Sequence, residues 1–134
     1  MIWHRMGDLG WKDNKGRLWF CGRKSHRVVT PEKTLFTIPC EAIYNNHPAV
    51  YRSALVGIGQ SHCRQPVICI ELKKSDRKIV VKEITEELLH MAEGYEHTRP
   101  VKTLLIHDGF PVDSQHKSKI LREQLSMWAE KQLN

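Results

Sequence analysis

Three residues from opposite ends of the sequence could together hold a nucleotide and its phosphates: Asp8, Arg23 and Lys119. Asp8 lies in a glycine-rich turn, where a free carboxylate can accept both hydroxyl hydrogens of a ribose diol. Arg23 follows Gly22 at the end of an apolar run, and its planar guanidinium can donate to phosphate or ribose oxygens. Lys119 lies near the start of the last predicted helix, where unpaired backbone amides already favour anions. The combination suits an enzyme that uses ATP.

Each of these residues alone has an ordinary structural explanation. A Gly-Asp pair is a common turn, an arginine at a strand end is usually solvated, and lysines on helix surfaces usually face water. The order of the surrounding motifs along the chain favours the chemical interpretation instead.

Four segments resemble, in order, the motifs of the adenylate-forming superfamily, which contains acyl-CoA synthetases, luciferases and the adenylation domains of peptide synthetases. WHRMGDLGW (3–11) resembles its Y-x-T-G-D-x stretch, and DNKGRLWFCGR (13–23) is similar to D-x-x-G-x-L-x-F-x-G-R. PCEAIYNNHPAV (39–50) resembles P-G-E-I-E-x-x-L-x-x-H-P-x-V, and KILR (119–122) resembles the terminal G-K-I-x-R. The resemblance covers essentially the whole chain and implies the small C-terminal domain of that superfamily.

The resemblance implies a division of the chain and a set of partners. Residues 1–24 would end the large N-terminal domain, as a strand and hairpin leading into the hinge, and residues 25–134 would form the C-terminal lid. ATP and a fatty or β-hydroxy acid would be the substrates, and the large N-terminal domain of the same enzyme would be the partner. Mg²⁺ would be bound through the ATP phosphates, mainly by that N-terminal domain. We therefore expect the isolated chain to be inactive.

The resemblance also implies individual roles. Asp8 is similar to the aspartate that holds the ribose hydroxyls, and Arg23 to the arginine beside it. Lys119 resembles the lysine that the mobile lid inserts between the carboxylate and the α-phosphate. Lys117 could compete for that role, because Ser118 replaces the family's glycine and Pro111 precedes Lys119 by eight residues, two more than is usual in the family. The K-I-x-R register favours Lys119.

Two departures from the family pattern bear on the second half of the reaction. Ser25 stands at the hinge position where the family usually has Asp or Lys. Residues 28–41 lack the glycine loop that acyl-CoA synthetases swing toward the pantetheine channel. Together with RMGDLGW (5–11) and RSALVG (52–57), this pattern most resembles the olefin-pathway β-lactone synthetases, in which the hydroxyl of the substrate attacks its own acyl adenylate. A fatty acyl-CoA ligase is the alternative.

Composition limits the other classes of function. The 134 residues suffice for one domain, and the net charge of +6 comes from Lys and Arg that are interspersed with acids. We therefore predict no nucleic-acid binding, although a non-catalytic basic binding module is a possible alternative. No apolar run is long enough for a membrane span or a signal peptide, so we predict a cytoplasmic protein.

The sequence predicts no metal site. Its four cysteines form no CxxC pair and its eight histidines no HExxH pattern, so we expect reduced and mostly buried thiols.

These residues need a scaffold, and the hydrophobic pattern predicts an α+β fold. An N-terminal β-hairpin precedes a small, mostly three-stranded sheet covered by helices. The predicted elements are a hairpin within 11–29, a short helix from Pro39 that ends before Pro48, strands 49–58 and 67–72 joined by a polar loop at 59–65, a helix that ends at Gly94, a strand 101–106, and a final helix with the stripe Leu121, Leu125 and Trp128.

Overall fold

The computed structural model describes residues 2–5, 8–12, 14–23, 26–60, 63–74, 81–116 and 119–133. The elements within these residues confirm the predicted α+β class. In chain order they are β1 (Ile2–Arg5), β2 (Asp8–Lys12), β3 (Leu18–Arg23), β4 (Val28–Val29), β5 (Thr34–Leu35), α1 (Thr37–Asn45), β6 (Val50–Gln60), β7 (Cys63–Leu72), α2 (Val81–Glu93), β8 (Thr103–His107) and α3 (Arg122–Leu133).

The N-terminal strands form an antiparallel sheet in the order β1-β2-β3. Gly16, in the turn between β2 and β3, has a φ of 78°, a conformation that glycine adopts without steric cost. Asp8 pairs with Arg23 across the two strands. The predicted hairpin was placed too late in the chain, because β2 begins at Asp8 and Val28–Val29 belongs to a separate two-stranded sheet with β5.

The central sheet has the order β6-β7-β8. Strands β6 and β7 are antiparallel, whereas β7 and β8 are parallel, because helix α2 lies between them in the chain and returns it to the same end of the sheet. The predicted loop at 59–65 is wrong for most of its length. Gly59 pairs with Arg64 and Gln60 with Cys63, so the two strands continue almost to the turn. The polar residues of this segment suggested a loop. Its backbone N–H and C=O groups nevertheless form hydrogen bonds to the neighbouring strand, and this pairing does not require apolar side chains.

Both faces of the central sheet are buried. Along β6 the side chains alternate, so that Leu55 packs with α1 and α2 while Val56 packs with α3. The buried residues Leu88 and Leu125 are the corresponding contacts from α2 and α3. Helix α3 therefore covers one face of the sheet, and α1 and α2 cover the other.

Of the three cysteines whose side chains the structure describes, two have the predicted burial. Cys40 and Cys69 are fully buried, and burial raises the pKa of each thiol to about 12. Cys63 is exposed at the end of the β6-β7 hairpin. The extended hairpin carries it beyond the core.

Among the described residues, no helix has the length and apolar character needed to cross a membrane.

Candidate active site

Arg23 and Lys119, predicted from opposite ends of the chain, line the same cleft. This cleft, called here the Lys119 cleft, has a volume of about 220 Å³, and both side chains are exposed. The structure describes the backbone of Asp8, opposite Arg23, and not its side chain. Lys117, Ser118 and Ser25 lie outside the described residues. The other residues lining the cleft are Gly22, His26, Thr37, Ile38, Ile120 and Arg122.

Gly22 sets the position of Arg23. Its φ is 125°, and a Cβ built there would collide with Thr37 Oγ1 at the start of α1. Only glycine combines this backbone conformation with such a close approach. The strand that carries Arg23 can therefore lie directly against α1, whose first residues, Thr37 and Ile38, line the cleft.

Lys119 lies between β8 and α3 in a segment called here the lysine loop, of which the structure describes residues 111–116 and 119–121. A bridge joins Val112 to Ile120, and Leu121 N–H donates to the Pro111 carbonyl at 2.8 Å. The two ends of the loop are thus held together by backbone hydrogen bonds. Between these closed ends, the side chains of Ser114, Gln115, His116 and Lys119 are exposed.

Hydrogen bonds hold the backbone of Lys119 on both sides. Its N–H donates to the His116 carbonyl at 2.8 Å, and its own carbonyl accepts from Asp113 N–H at 3.0 Å. The Lys119 side chain is left exposed. A fixed backbone with a solvent-facing ammonium suits a cation that must reach a substrate outside the domain.

Asp113 organises the tip of the lysine loop. Its Oδ1 accepts from the N–H groups of Gln115 and His116, at 2.9 and 3.0 Å. These two backbone hydrogen bonds lower the pKa of the Asp113 carboxyl below its ordinary value of 3.8, with smaller contributions from the His116 side chain and from Lys119. These hydrogen bonds therefore favour an ionised Asp113 in this loop geometry.

A buried carboxylate also holds the segment leading into the loop. Glu71 Oε1 accepts from Phe110 N–H at 2.9 Å and from Arg52 Nε at 2.7 Å. Only 9% of Glu71 is exposed. The end of β7 thus anchors the residue immediately before the lysine loop.

A bidentate ion pair between Glu41 and Arg122 fixes the other end of the loop. Arg122 donates from its two terminal nitrogens to the two carboxylate oxygens at 2.7 and 3.0 Å. The same Glu41 carboxylate accepts from Leu55 N–H at 2.8 Å, and Arg122 also donates to the Leu55 carbonyl at 3.3 Å. The two charged side chains are only 11% and 17% exposed. The pair joins α1, β6 and the first residue of α3.

Sequence reasoning assigned no role to Glu41 or Arg122. Both lie inside the quoted motifs, at the third position of PCE and the last of KILR. Each is a charged residue beside apolar neighbours that belong in the core, and this signal could have indicated a buried pair. It could not have identified the partner.

Positive charge dominates the cleft. Burial lowers the pKa of His26, and the charges of Arg122, Arg23 and Lys119 lower it further, while Glu123 opposes them. His26 is therefore neutral at pH 7, and the cations around it favour an anionic ligand.

The β4-β5 hairpin, where the sequence lacks the glycine loop, is short and closed. Thr30 N–H donates to the Lys33 carbonyl at 2.9 Å, and Thr30 Oγ1 donates to the same oxygen at 2.6 Å. Lys33 Nζ then donates to the Glu96 carbonyl at 2.6 Å, in the segment after α2. The hairpin is thus tied to the body of the domain.

Known proteins resemble the chain in sequence and in fold. The chain is 46% identical over 129 residues to an olefin beta-lactone synthetase of Xanthomonas campestris pv. campestris and 41% identical over 130 residues to that of Stenotrophomonas maltophilia. These alignments cover 96% and 97% of the chain and 23% of each relative. A crystal structure of an anthranilate CoA ligase with anthranoyl-AMP shares the fold, with a TM-score of 0.77 at 22% identity, over 92% of this chain and 24% of the ligase. No family model matches the sequence.

The chain belongs to the adenylate-forming superfamily, in which it is the C-terminal domain. It spans about a quarter of the length of the relatives it matches. The resemblance found in the four motifs is thereby confirmed, while the individual roles of Asp8, Arg23 and Lys119 stay predictions.

The ion pair predicts a large loss of stability when only one of its two residues is replaced. Arg122→Met leaves the Glu41 carboxylate largely buried without its counterion, and we expect the free energy of unfolding to fall by about 3 kcal/mol. Adding Glu41→Met should recover part of that loss, since no unpaired charge remains. Urea denaturation of the single and double variants measures both effects.

The matched control is Arg99→Met, at an exposed arginine outside both the ion pair and the cleft. It should change the free energy of unfolding by no more than about 0.5 kcal/mol. Equal losses for Arg122→Met and Arg99→Met would show that the pair contributes little to stability.

The lysine loop predicts a dependence on pH. Because the folded-state pKa of Asp113 is lowered, its stabilisation of the loop is present above the ordinary value of 3.8 and is lost as pH falls through the lower folded value. We expect the amide NMR shifts of Gln115 and His116 to titrate with a midpoint below 3.8. Asp113→Asn should abolish this titration, whereas a midpoint above 3.8 in the wild type would contradict the geometry.

Proposed function

We propose that this chain carries the lid, residues 25–134, of an ATP-dependent, carboxylic-acid-activating ligase that forms an acyl adenylate. The observation that carries the proposal is the shared cleft, because Arg23 and Lys119 come from distant motifs and line the same cationic surface. We take residues 1–24 as the end of the N-terminal domain and 25–134 as the lid. An ATP-consuming reaction also suits the cytoplasm.

The chemistry requires a cation where Lys119 lies. A carboxylate oxygen of the acid attacks the α-phosphorus of ATP, the bond from that phosphorus to the β-phosphate oxygen breaks, and pyrophosphate leaves with the electron pair. Negative charge develops on the bridging and non-bridging oxygens, and a positioned ammonium stabilises it. Lys119 has a fixed backbone and an exposed side chain, as such a role demands.

Asp8 and Arg23 would hold the nucleotide. Their backbones are paired across β2 and β3, so both side chains start from the same end of the N-terminal sheet. We assign the ribose hydroxyls to Asp8 and adjacent ribose or phosphate oxygens to Arg23.

The remaining ATP contacts would come from the large N-terminal domain. Mg²⁺ would reach the site bound to the ATP phosphates, mainly through that N-terminal domain. The described residues contain no group of three or more His, Cys, Asp or Glu side chains that could hold a metal ion.

For the second step we propose β-lactone formation on a β-hydroxy acid rather than thioester formation. The hydroxyl oxygen of the substrate forms a bond to the acyl carbon, the bond to the phosphate oxygen breaks, AMP leaves, and the hydroxyl proton passes to water. The closed β4-β5 hairpin supports this preference, because its turn is bonded to the Glu96 carbonyl through Lys33. The two relatives named above as β-lactone synthetases support it as well.

A graft tests the proposed reaction. This chain would replace the corresponding quarter of the Xanthomonas campestris relative, and the product would be supplied with ATP and a long-chain β-hydroxy acid, with and without CoA. We expect equal yields of lactone and AMP in both mixtures, measured by mass spectrometry. Strict dependence on CoA would show an acyl-CoA ligase instead. The isolated chain, lacking most ATP contacts, should form no acyl adenylate.

The same graft tests the role of Lys119. Lys119→Ala should slow acyl-adenylate formation by about 10²-fold or more, because one preorganised transition-state donor is lost. Its melting temperature should stay near that of the unmodified graft, since the side chain is exposed. The matched control is Lys117→Ala, and a crippling effect there with a mild one at position 119 would transfer the role to Lys117.

A further inference from the structure

A second cleft adjoins the Lys119 cleft. It has a volume of about 290 Å³, and it is called here the Arg27–Arg64 cleft. Both clefts are lined by His26 and Arg122, so these two residues form their common wall. A ligand leaving Lys119 would pass these two residues to reach the second cleft. The polar residues that line this cleft are His26, Arg27, Arg64, Arg122, Glu123 and Ser126.

Its charge is predominantly positive. The Arg122 guanidinium is balanced by Glu41, which leaves Arg27 and Arg64 against the single carboxylate of Glu123. Within the described part of the chain, no ion pair joins Arg27 or Arg64 to an acid. Among the described residues, the Arg64 guanidinium donates one long hydrogen bond, of 3.4 Å, to the Gly57 carbonyl. Two guanidinium groups thus retain most of their donors for a ligand.

The packing around Gly57 gives Arg64 its direction. A Cβ at residue 57 would lie 2.6 Å from Arg64 Cδ, so the arginine stem crosses the strand where a side chain is missing. Ser126 Oγ donates to the Gly57 carbonyl at 2.6 Å and holds α3 beside the same point. Packing and a hydrogen bond therefore hold Gly57, Arg64 and Ser126 together in the lining of the cleft.

We infer that the Arg27–Arg64 cleft is a second anion subsite, which receives the pyrophosphate released at Lys119. This inference rests on the proposed adenylation reaction. Two planar guanidinium groups match the paired oxygens of a phosphate or diphosphate, and each contact is charge-assisted. Pyrophosphate is the small, multiply charged product of that reaction, and the cleft begins beside the place where it forms. Burial is the main cause of the lowered pKa of His26, and the charges of Arg122, Arg23 and Lys119 at and near the common wall lower it further.

Calorimetric titration of inorganic pyrophosphate into this chain tests the subsite. We expect measurable binding to the wild type, and a loss of about tenfold or more in affinity for Arg27→Gln and for the Arg27→Gln, Arg64→Gln double variant. Arg99→Gln, an exposed arginine outside both clefts, is the matched control and should bind like the wild type. Circular dichroism verifies that each variant is folded.

Two further titrations identify the source of the phosphate groups. Inorganic phosphate should bind more weakly than pyrophosphate, because it offers fewer charges and fewer paired oxygens. Adenosine 3′,5′-bisphosphate represents the phosphate-bearing half of CoA. Binding of the bisphosphate without binding of pyrophosphate would overturn the inference, as would equal pyrophosphate affinity in the wild type and Arg27→Gln.

The titration distinguishes this inference from the proposed function, because it needs neither an acid substrate nor turnover. Pyrophosphate that binds through Arg27 to a chain whose graft forms no acyl adenylate would support an anion subsite and refute the ligase. An active graft whose lid shows no Arg27-dependent pyrophosphate binding would refute the subsite alone.

Discussion

The buried pair of Glu41 and Arg122 is the interaction on which the candidate site depends. Two charged groups that are largely removed from water need nearly every hydrogen-bonding position satisfied, and here Leu55 supplies a donor and an acceptor beside the bidentate contact. Because Arg122 is the first residue of α3, the pair ties the start of that helix to α1 and β6. The lysine loop ends next to Arg122. The ion pair therefore helps to position Lys119, although neither Lys119 nor the substrate takes part in it.

A second constraint connects the N-terminal sheet to the same helix. Gly22 lies so close to Thr37 that no side chain fits, and this contact places Arg23 beside the start of α1. The ion pair uses the middle of that helix, at Glu41. Helix α1 therefore contacts both sides of the Lys119 cleft. Gly22 packs against it on one side, and the Glu41–Arg122 ion pair joins it to the other. Arg23 and Lys119, which come from remote parts of the chain, therefore lie on one surface.

Much of the fold was predictable because its elements follow local rules. Periodic apolar residues predicted α2 and α3, and β-branched runs predicted β6, β7 and β8. The exception is the 59–65 segment, where polar residues suggested a loop and strand pairing prevailed. Helix α1 likewise begins at Thr37, two residues before Pro39, because proline in the first turn of a helix interrupts no intrahelical hydrogen bond. Such differences arise where a neighbouring strand or turn, rather than the residue itself, decides the conformation.

By itself the sequence determined the class of fold, the order of its elements and, through four motifs, the superfamily. It also identified Arg23 and Lys119 as candidate site residues, because a sequence motif can be recognised without knowledge of the fold around it. Only the tertiary structure decided that these two line one cleft and that Glu41 pairs with Arg122, 81 residues away. The physical reason is that a charged residue among apolar neighbours indicates, from the sequence alone, a buried charge that needs a partner. Which residue becomes that partner depends on how the chain folds through the sheet.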